Sequence, residues 1–70
     1  MHPAPPTRLL TRNDAFVAAA ILREDHAGNR GAAFALATRG NLTGITNRDL
    51  ERLCAAFGVE VHPVAHHAAA

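Results

Sequence analysis

The clearest alternation of apolar and polar positions lies between residues 46 and 58. Four apolar residues there recur at spacings of three and four, so they share one face of a helix: Leu50, Leu53, Cys54 and Phe57. Thr46 followed by Asp49 matches a capping box with aspartate in the glutamate position. Gly58 has the residue type that ends helices. We therefore expect a capped, amphipathic helix from Thr46 to Gly58.

A second helix is predicted from about Asp14 to His26, with Asn13 or Asp14 as its N-cap and a stop at Gly28. This segment is apolar nearly all round. Phe16, Val17, Ala20 and Ile21 form one stripe, and Leu22, Ala15 and Ala18 fall on the other side. A helix of that kind is central in its fold or is covered by another chain.

The segment from Arg30 to Arg39 is rich in alanine, which favours helix over strand, and Gly40 can end it. Residues 59–62 alternate as a short strand would. Alternatively, Pro63 opens a short final helical turn. The predicted fold is therefore a mainly α, small three-helix domain at residues 9–64, with a disordered N-terminal arm at 1–8 and a flexible tail at 65–70.

The core of this domain is expected to be thin, because much of the apolar content is alanine. Its predicted large residues are Phe16, Ile21, Phe34, Leu50, Leu53 and Phe57. A domain of 70 residues usually needs a staple beyond its own core. With a single cysteine it cannot form an internal disulfide, so self-association, most simply as a homodimer, is expected.

No apolar run reaches the roughly 20 residues of a membrane span, and the proline-rich start does not resemble a signal peptide. A cytoplasmic protein without membrane contact is the expectation. All seven basic residues are arginine, but the net charge of +1 is too small to predict nucleic-acid binding by itself.

Catalytic and metal-binding patterns are weak. His62 and His66 have the i, i+4 spacing of a metal pair, but no further ligands complete the set, and a solvated tail is the simpler interpretation. Cys54 lies on the apolar stripe and is expected to pack as a small hydrophobe. Serine is absent from the chain. We expect a non-enzyme with no cofactor, no metal and no small-molecule substrate.

Residues 46–59, Thr-Asn-Arg-Asp-Leu-Glu-Arg-Leu-Cys-Ala-Ala-Phe-Gly-Val, resemble the first helix and turn of a helix-turn-helix module. That resemblance implies DNA binding. The segment that would form the recognition helix, residues 62–70, contains no Arg, Lys, Asn or Gln to contact base edges. Alternatively, the 46–58 helix itself could contact DNA phosphates, through Arg48 and Arg52 with Arg39 nearby.

The function predicted from these patterns is a small protein-binding module that is homodimeric. An inhibitor, adaptor or regulatory subunit, encoded by a phage or plasmid, would fit its size. The residues predicted to contact the partner are Arg48, Arg52, Arg39 and Glu51. The alternative is a DNA-binding transcriptional regulator of the helix-turn-helix kind.

Overall fold

A computed structural model of the chain describes residues 9–62, and within that range it contains three helices and no strand. α1 runs Arg12–His26, α2 runs Arg30–Arg39 and α3 runs Asn47–Ala56. This confirms the predicted mainly α, three-helix fold. Residues 59–62 are irregular, so the strand alternative is not found there. The predicted arm at 1–8, the helical turn from Pro63 and the tail at 65–70 lie outside the described residues.

α1 begins with a full capping box. Asp14 donates its backbone N–H to Thr11 Oγ1 at 3.4 Å, and Thr11 donates its own N–H to Asp14 Oδ2 at 2.7 Å. The prediction that Asn13 or Asp14 caps this helix was therefore wrong. Thr11 is the cap, and Asp14 is the third residue of the helix, where its carboxylate also favours the positive end of the helix dipole.

The other predicted boundaries are confirmed. α2 has the expected bounds, and α3 begins directly after Thr46, whose Oγ1 accepts the N–H of Asp49 at 3.2 Å. Gly28 and Gly58 follow α1 and α3 with φ of +86° and +68°. Glycine adopts this left-handed conformation without the steric cost that a Cβ imposes.

α1 is the central helix, because α2 and α3 each pack against it and not against one another. The buried apolar residues are Ala15, Ala18, Ile21, Leu22, Ala33, Leu42, Leu50, Leu53 and Cys54. The burial of Ile21, Leu50 and Leu53 confirms that part of the predicted core. Leu42, in the loop between α2 and α3, is 1% exposed and lies in the same cluster, and the sequence pattern did not predict this.

The predicted core was wrong at Phe16 and Phe34 and was confirmed only in part at Phe57. Phe16 is 56% exposed and Phe34 is 70% exposed, while Phe57 is half-buried at the edge of the core. α1 turns its small residues, Ala15 and Ala18, towards the interior, and short side chains let neighbouring backbones approach closely. Phe16 is rotated about 100° from Ala15 and so faces away from that contact.

Candidate functional site

The predicted contact residues of α3 form an exposed, mixed-charge face. Arg48, Glu51 and Arg52 are all exposed, and Arg52 Nη1 lies 3.7 Å from Asp49 Oδ1. Two arginines and two acids therefore balance on this helix. Arg39 is exposed at the end of α2, which does not pack against α3. Three of the four predicted residues thus share a surface, and Arg39 belongs to another helix.

A different surface runs along the outer side of α1, and we call it the α1 groove. It is an open groove of about 470 Å³ between α1 and the segment that follows α3. Its lining residues are Arg12, Phe16, Ala19, Ala20, Arg23, Gly58, Val59, Glu60 and His62. Phe16 lies one turn after Arg12 and two turns before Arg23, so the helix presents an aromatic ring between two cations.

The two arginines of the α1 groove are not neutralised by neighbouring acids. Within residues 9–62, neither Arg12 nor Arg23 forms an ion pair. The acids at the end of α1 have other partners: Glu24 Oε1 accepts from Asn29 Nδ2 at 3.0 Å, and Asp25 Oδ2 accepts from Asn47 Nδ2 at 2.8 Å. The helix side of the groove is therefore basic.

On the opposite wall of the α1 groove, Glu60 Oε2 lies 3.8 Å from His62 Nε2. Both side chains are exposed, and the pair is ionic when the histidine is protonated. His66, the residue predicted to share a metal with His62, lies outside the described residues. Among the described residues, no three His, Cys, Asp or Glu side chains lie close enough together to hold a metal ion.

A second open groove, of about 350 Å³, lies between α2 and α3, and we call it the Phe34 groove. Phe34 and Arg30 contribute from α2, and Asp25 contributes from the end of α1. The remaining lining residues are Ile21, Ala33, Ala37, Leu42, Thr43, Gly44, Ile45, Asn47 and Leu50. The core residues that line this groove are themselves buried, and its exposed lining residues are Arg30, Phe34, Thr43, Gly44 and Asn47.

Cys54 occupies a structural position. It is 3% exposed, and its Sγ donates to the carbonyl oxygen of Ala15 at 3.5 Å, which joins α3 to α1. Burial raises the pKa of the Cys54 thiol, and the negative charge of Glu51 adds to the effect. A buried thiol with a raised pKa is a poor nucleophile. This placement agrees with the prediction that Cys54 packs as a small hydrophobe.

Sequence reasoning missed both apolar grooves because it assigned Phe16 and Phe34 to the core. A signal for the α1 groove was present in the chain. Arg12, Phe16, Ala19 and Arg23 recur at spacings of four, three and four, which places them along one helical face. A stripe that begins and ends with arginine is more typical of an exposed face than of a core.

No described helix is both long and apolar enough to cross a membrane. Comparison with models of known protein families, with curated proteins and with solved structures found no match to this chain.

Proposed function

We propose that this protein is a self-associating protein-binding module, of the inhibitor, adaptor or regulatory-subunit kind, that acts by surface contact and not by catalysis. The α1 groove is the proposed binding site for its partner. The observation that carries the proposal is the placement of Phe16, more than half exposed in an open groove between two unpaired arginines. Aromatic and arginine side chains are the residue types enriched in protein interfaces.

The binding energy would come mainly from Phe16. Full burial of a phenylalanine side chain stabilises a complex by roughly 1.5–3 kcal/mol, so covering the exposed half contributes on the order of 1 kcal/mol. Ala19, Ala20 and Val59 extend the apolar surface around the ring. An apolar side chain of the partner, placed against Phe16, would bury all of these together.

The arginines define the rest of the partner's chemistry. Arg12 and Arg23 are eleven residues apart, which corresponds to about 16 Å along a helix. A segment with a central apolar anchor and a carboxylate towards each end would pair with both guanidinium groups, and arginine binds carboxylates in a bidentate geometry. We therefore propose an acidic, amphipathic segment of a partner protein as the occupant.

The alternative, DNA binding through α3, has less support from the charge distribution. Asp49 and Glu51 lie on the same exposed helix as Arg48 and Arg52, and Asp49 pairs with Arg52. Binding to DNA phosphates depends on cationic side chains without neighbouring acids, because carboxylates beside them repel the DNA phosphates. The variants described below also test the prediction that the partner contacts Arg48, Arg52, Arg39 and Glu51.

A phage-displayed library of random peptides, about 16 residues long, tests the proposal directly. We expect selected peptides to share an apolar anchor flanked by Asp or Glu. Their affinity for Phe16→Ala should fall about fivefold, which is the loss that corresponds to about 1 kcal/mol. Phe34→Ala is the matched control, since it removes the same side chain from the other groove and should leave peptide affinity unchanged.

Two further variants locate the contact. Arg12→Ala with Arg23→Ala should weaken peptide binding and reduce its salt dependence, whereas Arg48→Ala with Arg52→Ala should not. The reverse result would move the site to α3. Nanomolar binding to duplex DNA at 50 mM salt that collapses by 200 mM would support the DNA-binding alternative instead.

A further inference from the structure

We infer that the Phe34 groove is covered by a second copy of this chain, with Phe34 of each copy placed against the groove of the other about a two-fold axis. The inference rests on the proposed self-association and assigns it to one surface. It does not depend on the α1 groove, which lies on the other side of α1 and is left free for a partner.

The Phe34 groove has the shape that such a contact requires. A two-fold interface uses the same patch on both subunits, so that patch needs both a projecting group and a recess that receives it. Phe34 projects, with 70% of its surface exposed, and the half-buried apolar residues that line the recess are Ala37 and Ile45. Both pack against the core cluster, so the ring would extend the apolar packing of the other copy.

The charges of the Phe34 groove are also self-complementary. It contains one acid, Asp25, and one base, Arg30. Arg30 forms no ion pair among the described residues, and a two-fold contact can bring it to the Asp25 carboxylate of the other copy. The α1 groove is less balanced, because its helix side carries two arginines and its opposite wall carries one acid, Glu60, which already lies beside His62.

α2 buries little surface within one chain, so a second copy that packs on it would stabilise it in every folded molecule. Of its ten residues, all of them described, Ala33 alone is buried. No side chain caps its N-terminus, and Gly31 weakens the helix although nothing lies within 4 Å of the position of a Cβ there. A helix of ten residues has marginal stability by itself. A second copy of the chain is present wherever the chain is, so it is the simplest source of the missing contacts.

Sedimentation equilibrium over a micromolar concentration range tests this inference. We expect the wild type to approach twice 7.4 kDa and Phe34→Ala to remain near 7.4 kDa. Phe16→Ala should dimerise like the wild type. Arg30→Asp and Asp25→Arg alone should each weaken the dimer by about tenfold, because each places like charges together. The double variant restores opposite charges and should regain most of the affinity.

Arg30→Asp keeps the test decisive where Phe34→Ala loses helix content, since Arg30 is exposed and does not contribute to the core. Asp25→Arg also removes the hydrogen bond to Asn47, so its dimer affinity is compared with that of the double variant. A wild type that stays at 7.4 kDa at high micromolar concentration would overturn the self-association as well. A dimer that survives Phe34→Ala and ignores the charge reversals, or that is lost in Phe16→Ala, overturns only the assignment to the Phe34 groove. Peptide binding in the α1 groove is measured separately and is unaffected by either outcome.

Discussion

At the scale of single residues, Cys54 has the most definite chemical environment. Its thiol is buried and donates to the Ala15 carbonyl, so the fold holds the protonated form. The raised pKa means that the folded state loses the thiol proton at higher pH than the unfolded state does. A group of this kind stabilises the fold fully below its unfolded pKa, and that contribution is lost as pH rises through the folded pKa.

The free energy of unfolding should therefore decrease as pH rises above about 9, the ordinary thiol value. The chain contains no lysine and no tyrosine, so Cys54 is its one side chain that titrates between pH 9 and 11. Urea denaturation at several pH values in this range measures the effect. Cys54→Ala should show a flat profile, and a matching decrease in that variant would assign the pH dependence to another cause.

The sequence predicted the burial of Cys54, Leu50 and Leu53 because α3 has one apolar face and one polar face. It failed at Phe16, because α1 is apolar nearly all round and periodicity cannot choose between two apolar arcs. The choice was made by packing: α1, which contacts two neighbours, turns Ala15, Ala18 and Leu22 inward and leaves Phe16 with Ala19 and Ala20 on the outer side. Leu42 was missed for a related reason, since no local pattern reports that a loop residue reaches the core.

At the scale of helices, α1 and α3 both begin with a threonine N-cap, and only the one at Thr46 was predicted from the sequence. Thr46-Asn47-Arg48-Asp49 and Thr11-Arg12-Asn13-Asp14 have the same Thr-x-x-Asp pattern. The prediction is correct for Thr46 as the N-cap of α3, but Asp49 pairs with Arg52 and does not complete the capping box. For α1, the prediction of Asn13 or Asp14 as the cap misses Thr11, which forms the full capping box. The start of α1 was therefore predictable from the sequence. The small buried surface of α2 was not predictable, because it depends on which helices pack against one another.

Substitution by alanine should change stability in opposite directions at two glycines, Gly31 within α2 and Gly40 at its C-cap. Gly31→Ala should stabilise the protein by up to about 1 kcal/mol, since alanine favours helix and the new methyl group meets open space. Gly40→Ala should destabilise it, because the added Cβ would lie 2.6 Å from Cγ1 of Val17. Urea midpoints at one fixed protein concentration measure both; equal shifts would contradict the close approach at Gly40.

At the scale of the whole molecule, stability depends on few large buried side chains. Leu22 and Leu42 are the largest that are fully buried, and the rest of the core consists of three alanines with Ile21, Leu50, Leu53 and Cys54. A core of this size supplies roughly 3–5 kcal/mol. The candidate sites follow from the same fact. The exposed polar face of α3 was predictable from its periodicity. The two grooves were not, because they form where the three short helices leave Phe16 and Phe34 exposed.

Leu42→Ala should leave the protein largely unfolded, because a buried leucine truncated to alanine costs about 2–5 kcal/mol, close to the total available. Leu9→Ala makes the same change at a residue that is 87% exposed, and its effect should stay within about 0.5 kcal/mol. Circular dichroism in increasing urea distinguishes them. A native-like midpoint for Leu42→Ala would show that the loop does not anchor the core.

The central position of α1 has a further consequence for how the molecule comes apart. Because the backbones of α2 and α3 pack against α1 and do not approach each other, either helix can open while the other stays paired with α1, and the helix with less buried surface opens at the lower free energy. α2 is that helix. In the dimer inferred above, the concentration of the chain itself would then set the fraction of molecules in which α2 is folded.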